Sequence, residues 1–365
     1  MKRFCYTCLL AGLAVCAVMS ISSNARDRKN DSVNEAALIA KAKAATENKK
    51  TVGYVTTSFD NLPDPSCMTH IYYAFGNVAP SYDSLIISKP EKLKGISALK
   101  DSNPGLKVSL SIQTLPRDGF AVMTASDSLR SAFVSHCRKI VEMYDLDGLD
   151  LDWEFPGTNA GMHQGGGSED TKNYALLARD LRRMLGPDKT LSFYSNNSSR
   201  YNDLAAMVPY VDYVMVSGYN LGNPPKQHQS NLYPSDLCGD WSISESVKAH
   251  IDKGVPREKI MIGIPFYART QPDIKEKYKI SDNYVAWRQF DRFLPGMKMK
   301  WDKKAKAPYY ADADGNIYAA FDSERSIREK AKFIKDQGLA GAFYWHYDAE
   351  VDPHPLAKAL MRYNR

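Results

Sequence analysis

The chain has 365 residues, 44% of them hydrophobic and 25% charged, with 48 Lys and Arg against 42 Asp and Glu. That balance supports a large core and excludes wholesale disorder. Beyond the first residues it carries no block of like charge, so nucleic acid is not implied as a partner.

The N-terminus starts with Met1-Lys2-Arg3 and continues through a nearly apolar stretch, residues 4–21, to Ser23-Asn24-Ala25. This order of positive, apolar and small residues predicts a secretory signal peptide, 1–25, and an exported protein. A membrane anchor is the first alternative, because the apolar run is about long enough to span. A lipoprotein is the second, with Leu13-Ala14-Val15-Cys16 as its lipidation site. Stable membrane insertion is therefore not expected unless Cys16 is lipidated. Removing 1–25 takes away Lys2 and Arg3 and lowers the net charge from +6 to +4. Residues 26–50 are polar and charged and read as a tether. Cys67, Cys137 and Cys238 lie beyond the leader. They have no metal-ligand spacing, and an odd number leaves at least one thiol unpaired. They read as buried structural cysteines.

From Thr51 onward, β-branched and aromatic runs alternate with amphipathic stretches. Strands are predicted at 51–57, 70–75, 106–112, 148–154, 190–195, 211–217, 259–266 and 341–346. Eight strands separated by helices predict an α/β fold, a (β/α)8 TIM barrel occupying 51–365. Helical spacing of Leu129, Phe133, Cys137, Ile140 and Met143 predicts a helix over 128–144. Ser326-Ile327-Arg328-Glu329 reads as a capping box, with Gly338 and Gly254 as helix stops. Residues 270–322 exceed what a βα unit needs. Their aromatic runs and the Asp314-Gly315 turn predict a small α+β insertion between strands 7 and 8.

The most informative segment is Asp147-Gly148-Leu149-Asp150-Leu151-Asp152-Trp153-Glu154-Phe155-Pro156-Gly157. Strand side chains alternate faces, so Asp150, Asp152 and Glu154 share one face. Leu149, Leu151, Trp153 and Phe155 share the other and suit the helix side of a barrel. Three carboxyls then point inward, where like charges out of water raise one another's pKa. A folding role does not explain such a column. It also ends at the C-terminal edge of its strand, where barrel active sites lie. Glu154 is thus the expected proton donor, kept protonated by its neighbours. A solvated acidic edge strand is the bland alternative, and the apolar partner face argues against it.

The spacing Asp147-x-x-Asp150-x-Asp152-x-Glu154 resembles the signature of glycoside hydrolase family 18, the chitinases and endo-β-N-acetylglucosaminidases. Residues 70–75, 263–269 and 341–345 resemble that family's second, seventh and eighth strands, in the right order. The resemblance covers roughly residues 51–350 and implies a substrate-assisted, retaining mechanism. It implies Glu154 as acid, Asp152 as the group that orients the substrate's acetamide, and Asp150 as the residue holding Asp152. Tyr219 is implied as a hydrogen-bond donor to the acetamido carbonyl, completing the catalytic set.

Trp345 is implied as the floor under the sugar. Tyr54, Phe75, Tyr267 and Arg269 are expected in the cleft, and Asp147 is grouped with the substrate-binding residues. Two places depart from the family. Asn220 stands where the family has Asp, and Ser111-Ile112-Gln113-Thr114 stands where it has Ser-x-Gly-Gly. Ser111, Gln113 and Asn220 are therefore expected to shape what the sugar site accepts. No cofactor and no metal are implied. The expected partner is a glycan containing N-acetylglucosamine. Chitin or chitooligosaccharides compete with the chitobiose core of N-glycans, and a chitin-binding lectin is the non-enzymatic alternative.

Overall fold

The computed structural model describes residues 49–58, 60–114, 117–158 and 166–364. The leader 1–25, Cys16 and all but the last two residues of the polar stretch 26–50 lie outside them. Lys50 already belongs to the barrel, as the first residue of strand β1 (Lys50–Thr56). The chain then forms β2 (His70–Val78), β3 (Leu85–Ile87), β4 (Lys107–Thr114), β5 (Gly148–Leu151) and β6 (Thr190–Ser195). After these come β7 (Tyr213–Val216) and β8 (Ile260–Pro265). A second group follows: β9 (Tyr267–Thr270), β10 (Tyr284–Ala286), β11 (Met299–Asp302), β12 (Ala307–Ala311) and β13 (Ile317–Ala320). The last strand is β14 (Gly341–Trp345).

The parallel order β1-β14-β8-β7-β6-β5-β4-β2 closes because β1 also pairs with β2. This is the (β/α)8 barrel, with β3 added antiparallel to the extended end of β2. Period-two alternation sorts the side chains into two cores. Tyr72, Ala74, Met215, Met261 and Phe343 fill the barrel interior. Ile71, Leu149, Leu151, Phe193, Ile262 and Tyr344 point outward under the helices. Each fully buried leucine there contributes about 1.5–3 kcal/mol of transfer free energy. At the start of β5 a side chain has no room: a Cβ on Gly148 would lie 2.3 Å from the Thr190 carbonyl oxygen.

The helix expected over 128–144 spans Asp127–Met143, capped by Ser126, whose hydroxyl accepts from the Leu129 N–H. The capping box lies three residues before the expected one. Ser323 caps helix Glu324–Asp336 and pairs reciprocally with Ser326. The reason is local. Ser323 has extended backbone, whereas Ser326 is already inside the helix, where its hydroxyl also donates to Asp322. Cys67, Cys137 and Cys238 are all free thiols, the first two buried.

Strands β9 to β13 form a separate five-stranded antiparallel sheet, ordered β10-β9-β13-β12-β11. With the short helices Asp273–Tyr278 and Phe290–Phe293 it makes the α+β insertion between β8 and β14. Its own core holds Ala268, Val285, Phe290, Phe293 and Phe321. The insertion starts at Tyr267, three residues before the expected boundary, because β9 follows β8 after one residue. Gln229, from the long loop after β7, fastens it. Its amide donates to the Tyr267 carbonyl at 2.8 Å and the Ala320 carbonyl at 3.0 Å. Among the described residues no helix is long and apolar enough to cross a membrane.

Candidate active site

A cleft of about 680 Å³ opens at the C-terminal ends of the barrel strands, bounded on one side by the insertion. Asp150 lies below it on β5, fully buried. Three hydroxyls from three strands donate to its carboxylate. These are Ser192 on β6 at 2.6 Å, Ser111 on β4 at 2.8 Å and Tyr54 on β1 at 2.8 Å. Burial raises the Asp150 pKa, and the three donors pull it back by stabilising the charged form.

The regular pairing of β5 ends at Leu151, so Asp152 and Glu154 stand just past the ladder and reach the cleft. Trp153, between them, is buried on the helix side against Phe120 and Tyr174. That packing fixes the segment and keeps the two carboxyls on the opposite side. Burial pushes the Glu154 carboxyl up to about 7. Asp152 is also raised well above its ordinary value, first by burial and then by the charges of Glu154 and Asp150. The pair therefore holds a proton near neutrality. Asp152 Oδ1 is buried and has no hydrogen-bond partner among the described residues. An acceptor left unpaired in this way costs about 1–3 kcal/mol.

Aromatic rings complete the cleft. Trp345 ends β14 and stacks on Phe75 at 5.7 Å and 21°. Tyr54 meets Trp345 at 5.7 Å from below. Tyr219 packs edge-on to Tyr267 and Phe343. A Cβ on Gly263 would lie 2.6 Å from Phe343 and 2.8 Å from Tyr219, so this glycine leaves the rings their place. Burial raises the Tyr219 pKa far above its ordinary value, so its phenol stays a hydrogen-bond donor.

Residues 50–350 match the family described as Glycosyl hydrolases family 18. The chain belongs to that family. It is 23% identical to an endochitinase of Manduca sexta, over 83% of this chain and 63% of the relative. It is 23% identical to chitinase A1 of Niallia circulans, over 70% of this chain and 42% of the relative. The chain thus spans less than two thirds of the length of these curated relatives. A solved structure, a glycoside hydrolase family 18 N-acetylglucosaminidase from Paenibacillus barengoltzii, superimposes with a TM-score of 0.73 at 28% identity. That match covers 87% of this chain and 100% of the other.

The family 18 fold brings most of the sequence-derived residues together. Glu154, Asp152, Tyr219, Trp345, Phe75 and Gln113 line the cleft, and so do Tyr54, Asn220, Tyr267 and Arg269. Three differ. Asp147, expected at the substrate, sits before β5 at the opposite end of the barrel. There it pairs with Lys107 at 3.0 Å and Lys100 at 3.3 Å and accepts from the Val108 N–H at 2.9 Å. The start of a barrel strand and its C-terminal end lie on opposite faces, so a residue preceding β5 cannot reach the cleft. Ser111 is fully buried beneath the cleft, where its hydroxyl donates to Asp150. Asp150 is itself fully buried and is not among the residues that line the cleft.

Sequence reading missed Ser192, Tyr194 and Tyr284. Tyr194 and Tyr284 line the cleft, and Ser192 holds Asp150. The period-two rule applied to 190–195 would have found the first two, since Ser192 and Tyr194 share a face.

Proposed function

We propose that this chain is a glycoside hydrolase that cleaves β-1,4 linkages at N-acetylglucosamine with retention, using the substrate's own acetamido group as nucleophile. The observation that carries the reading is the unpaired, buried Asp152 Oδ1 beside a Glu154 carboxyl held up to about 7. Asp152 lines the cleft with a carboxylate that no donor among the described residues satisfies at Oδ1, which suits it to take an acetamide N–H, and Glu154 is an acid that keeps its proton near neutral pH.

In the first step the Glu154 proton passes to the glycosidic oxygen as the C1–O bond breaks. The acetamido oxygen closes on the opposite face of C1 and forms an oxazolinium ion. Asp152 accepts from the acetamide N–H and balances the positive charge. The Tyr219 hydroxyl donates to the acetamido oxygen and aligns it. Water then adds to C1, its proton goes to the Glu154 carboxylate, and the oxazolinium ring reopens. Two inversions give net retention. The intramolecular nucleophile benefits from a high effective molarity. Trp345 offers its ring to the apolar face of the sugar.

The chitinase names of the relatives support chitin chains or chitooligosaccharides as substrates. An N-glycan chitobiose core is the alternative, and a parallel assay on a chitooligosaccharide and a high-mannose glycopeptide separates them. Glu154→Gln is expected to lower turnover by about 10²–10⁴ on the better substrate. Undiminished turnover by that variant refutes the assignment. The reading includes export, resting on the pattern of residues 1–25. A mature N-terminus at Arg26 supports signal-peptide cleavage, and one at an acylated Cys16 supports the lipoprotein form.

A further inference from the structure

One wall of the cleft is built of donors. Arg269 on β9 and Asn220, the residue after Tyr219, both line it. The Arg269 Nε donates to Asn220 Oδ1 at 3.2 Å, and the Tyr267 hydroxyl donates to the same oxygen at 3.1 Å. Arginine cannot accept, so this pair fixes which way the amide lies. With Oδ1 occupied by two donors, the Asn220 Nδ2 group presents its two N–H bonds elsewhere. Neither Nδ2 nor Arg269 Nη2 has an acceptor among the described residues.

The Arg269 side chain is 21% exposed, and its guanidinium is held 5.7 Å from the Tyr267 ring and 6.0 Å from the Tyr284 ring. Its Nη1 donates to both Asp282 oxygens and to Asn283 Oδ1, each at 3.2 Å. Asp282 is 59% exposed, so water and salt weaken its hold on that charge. The wall therefore holds a fixed cation whose own partner, Asp282, is exposed, with spare N–H groups on Arg269 and on Asn220, the residue after Tyr219. A sugar hydroxyl satisfies one such donor. A carboxylate can take two and balance the charge as well.

We infer that this wall is a subsite for an acidic sugar, and that the cleft prefers β-1,4-linked N-acetylhexosamine chains in which one ring carries a carboxylate. The inference rests on the hydrolase reading above and narrows its substrate class. The raised pKa values of Asp152 and Glu154 agree with it, because the opposite side of the cleft then carries less repelling negative charge.

The test is binding to the Glu154→Gln protein by calorimetry. The probes are an alternating tetramer of N-acetylglucosamine and its 3-O-lactyl ether, the methyl ester of the same tetramer, and neutral chitotetraose. The ester keeps the bulk and removes the charge. The acid is expected to bind about tenfold tighter than its ester, as one charge-assisted contact provides, with the ratio shrinking at high salt. Asn220→Asp places a carboxylate against Arg269 and is expected to bring the ratio close to one. Arg269→Gln does the same by removing the cation. Equal binding of acid and ester overturns the inference, and so does a preference that survives both substitutions. Hydrolysis of chitotetraose, of the acidic tetramer and of a high-mannose glycopeptide by the unsubstituted protein is scored separately. If none is cleaved, the hydrolase reading fails. If any is cleaved and the binding ratio is one, only the acidic-sugar subsite fails.

Discussion

Tyr54→Phe isolates the support beneath the carboxyls of the cleft. The substitution removes one oxygen and leaves the ring in place against Tyr72, Phe343 and Trp345, at 5.5 to 5.7 Å. What is lost is one of three hydrogen bonds to the fully buried Asp150 carboxylate. A hydrogen bond to a charged group contributes about 1.5–3 kcal/mol, so the protein is expected to lose about that much stability while Asp150 is ionised.

The sign of the pH dependence follows from burial. Asp150 is raised in the folded protein, so folding disfavours its charged form. Its contribution is fully present at low pH and falls away as pH rises through the folded pKa. Removing the Tyr54 donor raises the pKa further. The deficit of Tyr54→Phe is therefore largest at mildly alkaline pH and shrinks at acid pH, where Asp150 is protonated in both proteins. Urea unfolding of the two proteins at both pH values measures it. A deficit of equal size at both, or none at either, refutes the idea that Tyr54 stabilises a charged Asp150.

Asp147→Asn is expected to cost about 1–2 kcal/mol in urea unfolding and to leave kcat within about twofold, because Asp147 is an ion-pair hub far from the cleft. Burial raises its pKa, but the Val108 N–H and the two lysines overcome that and hold it below its ordinary value. The native contribution is therefore lost as pH falls, so the difference from Asp147→Asn closes at acid pH. Lys330→Met strands the fully buried Asp322, which Lys330 holds at 2.6 Å, and is expected to cost about 3–5 kcal/mol. A midpoint of unfolding close to that of the unsubstituted protein refutes it.

All eight barrel strands were legible because each is a short β-branched or aromatic run bounded by turn residues or helices. The inward carboxyls were legible because a period of two leaves only one face for Asp150, Asp152 and Glu154. The point at which β5 stops pairing was not. Residues 148–154 keep one alternating pattern, yet the ladder ends at Leu151, and that end separates the supporting Asp150 from the acids in the cleft. Asp147 was misplaced because a motif ties it to its neighbours in sequence, whereas the barrel sends the two ends of a strand to opposite faces. Tyr284 carried no local signal. It reaches the cleft only because β10 pairs with β9, placing Tyr284 opposite Arg269. Long-range register of this kind is not written in any short window of sequence.

The most direct measurement is a titration of the Glu154 carboxyl by carbon NMR of labelled protein, set beside the pH dependence of kcat/KM on a chitooligosaccharide. The account predicts a carboxyl that loses its proton near pH 7 and activity that declines with the same midpoint as pH rises. A Glu154 that titrates in the ordinary carboxylate range, with activity unchanged through neutrality, contradicts it.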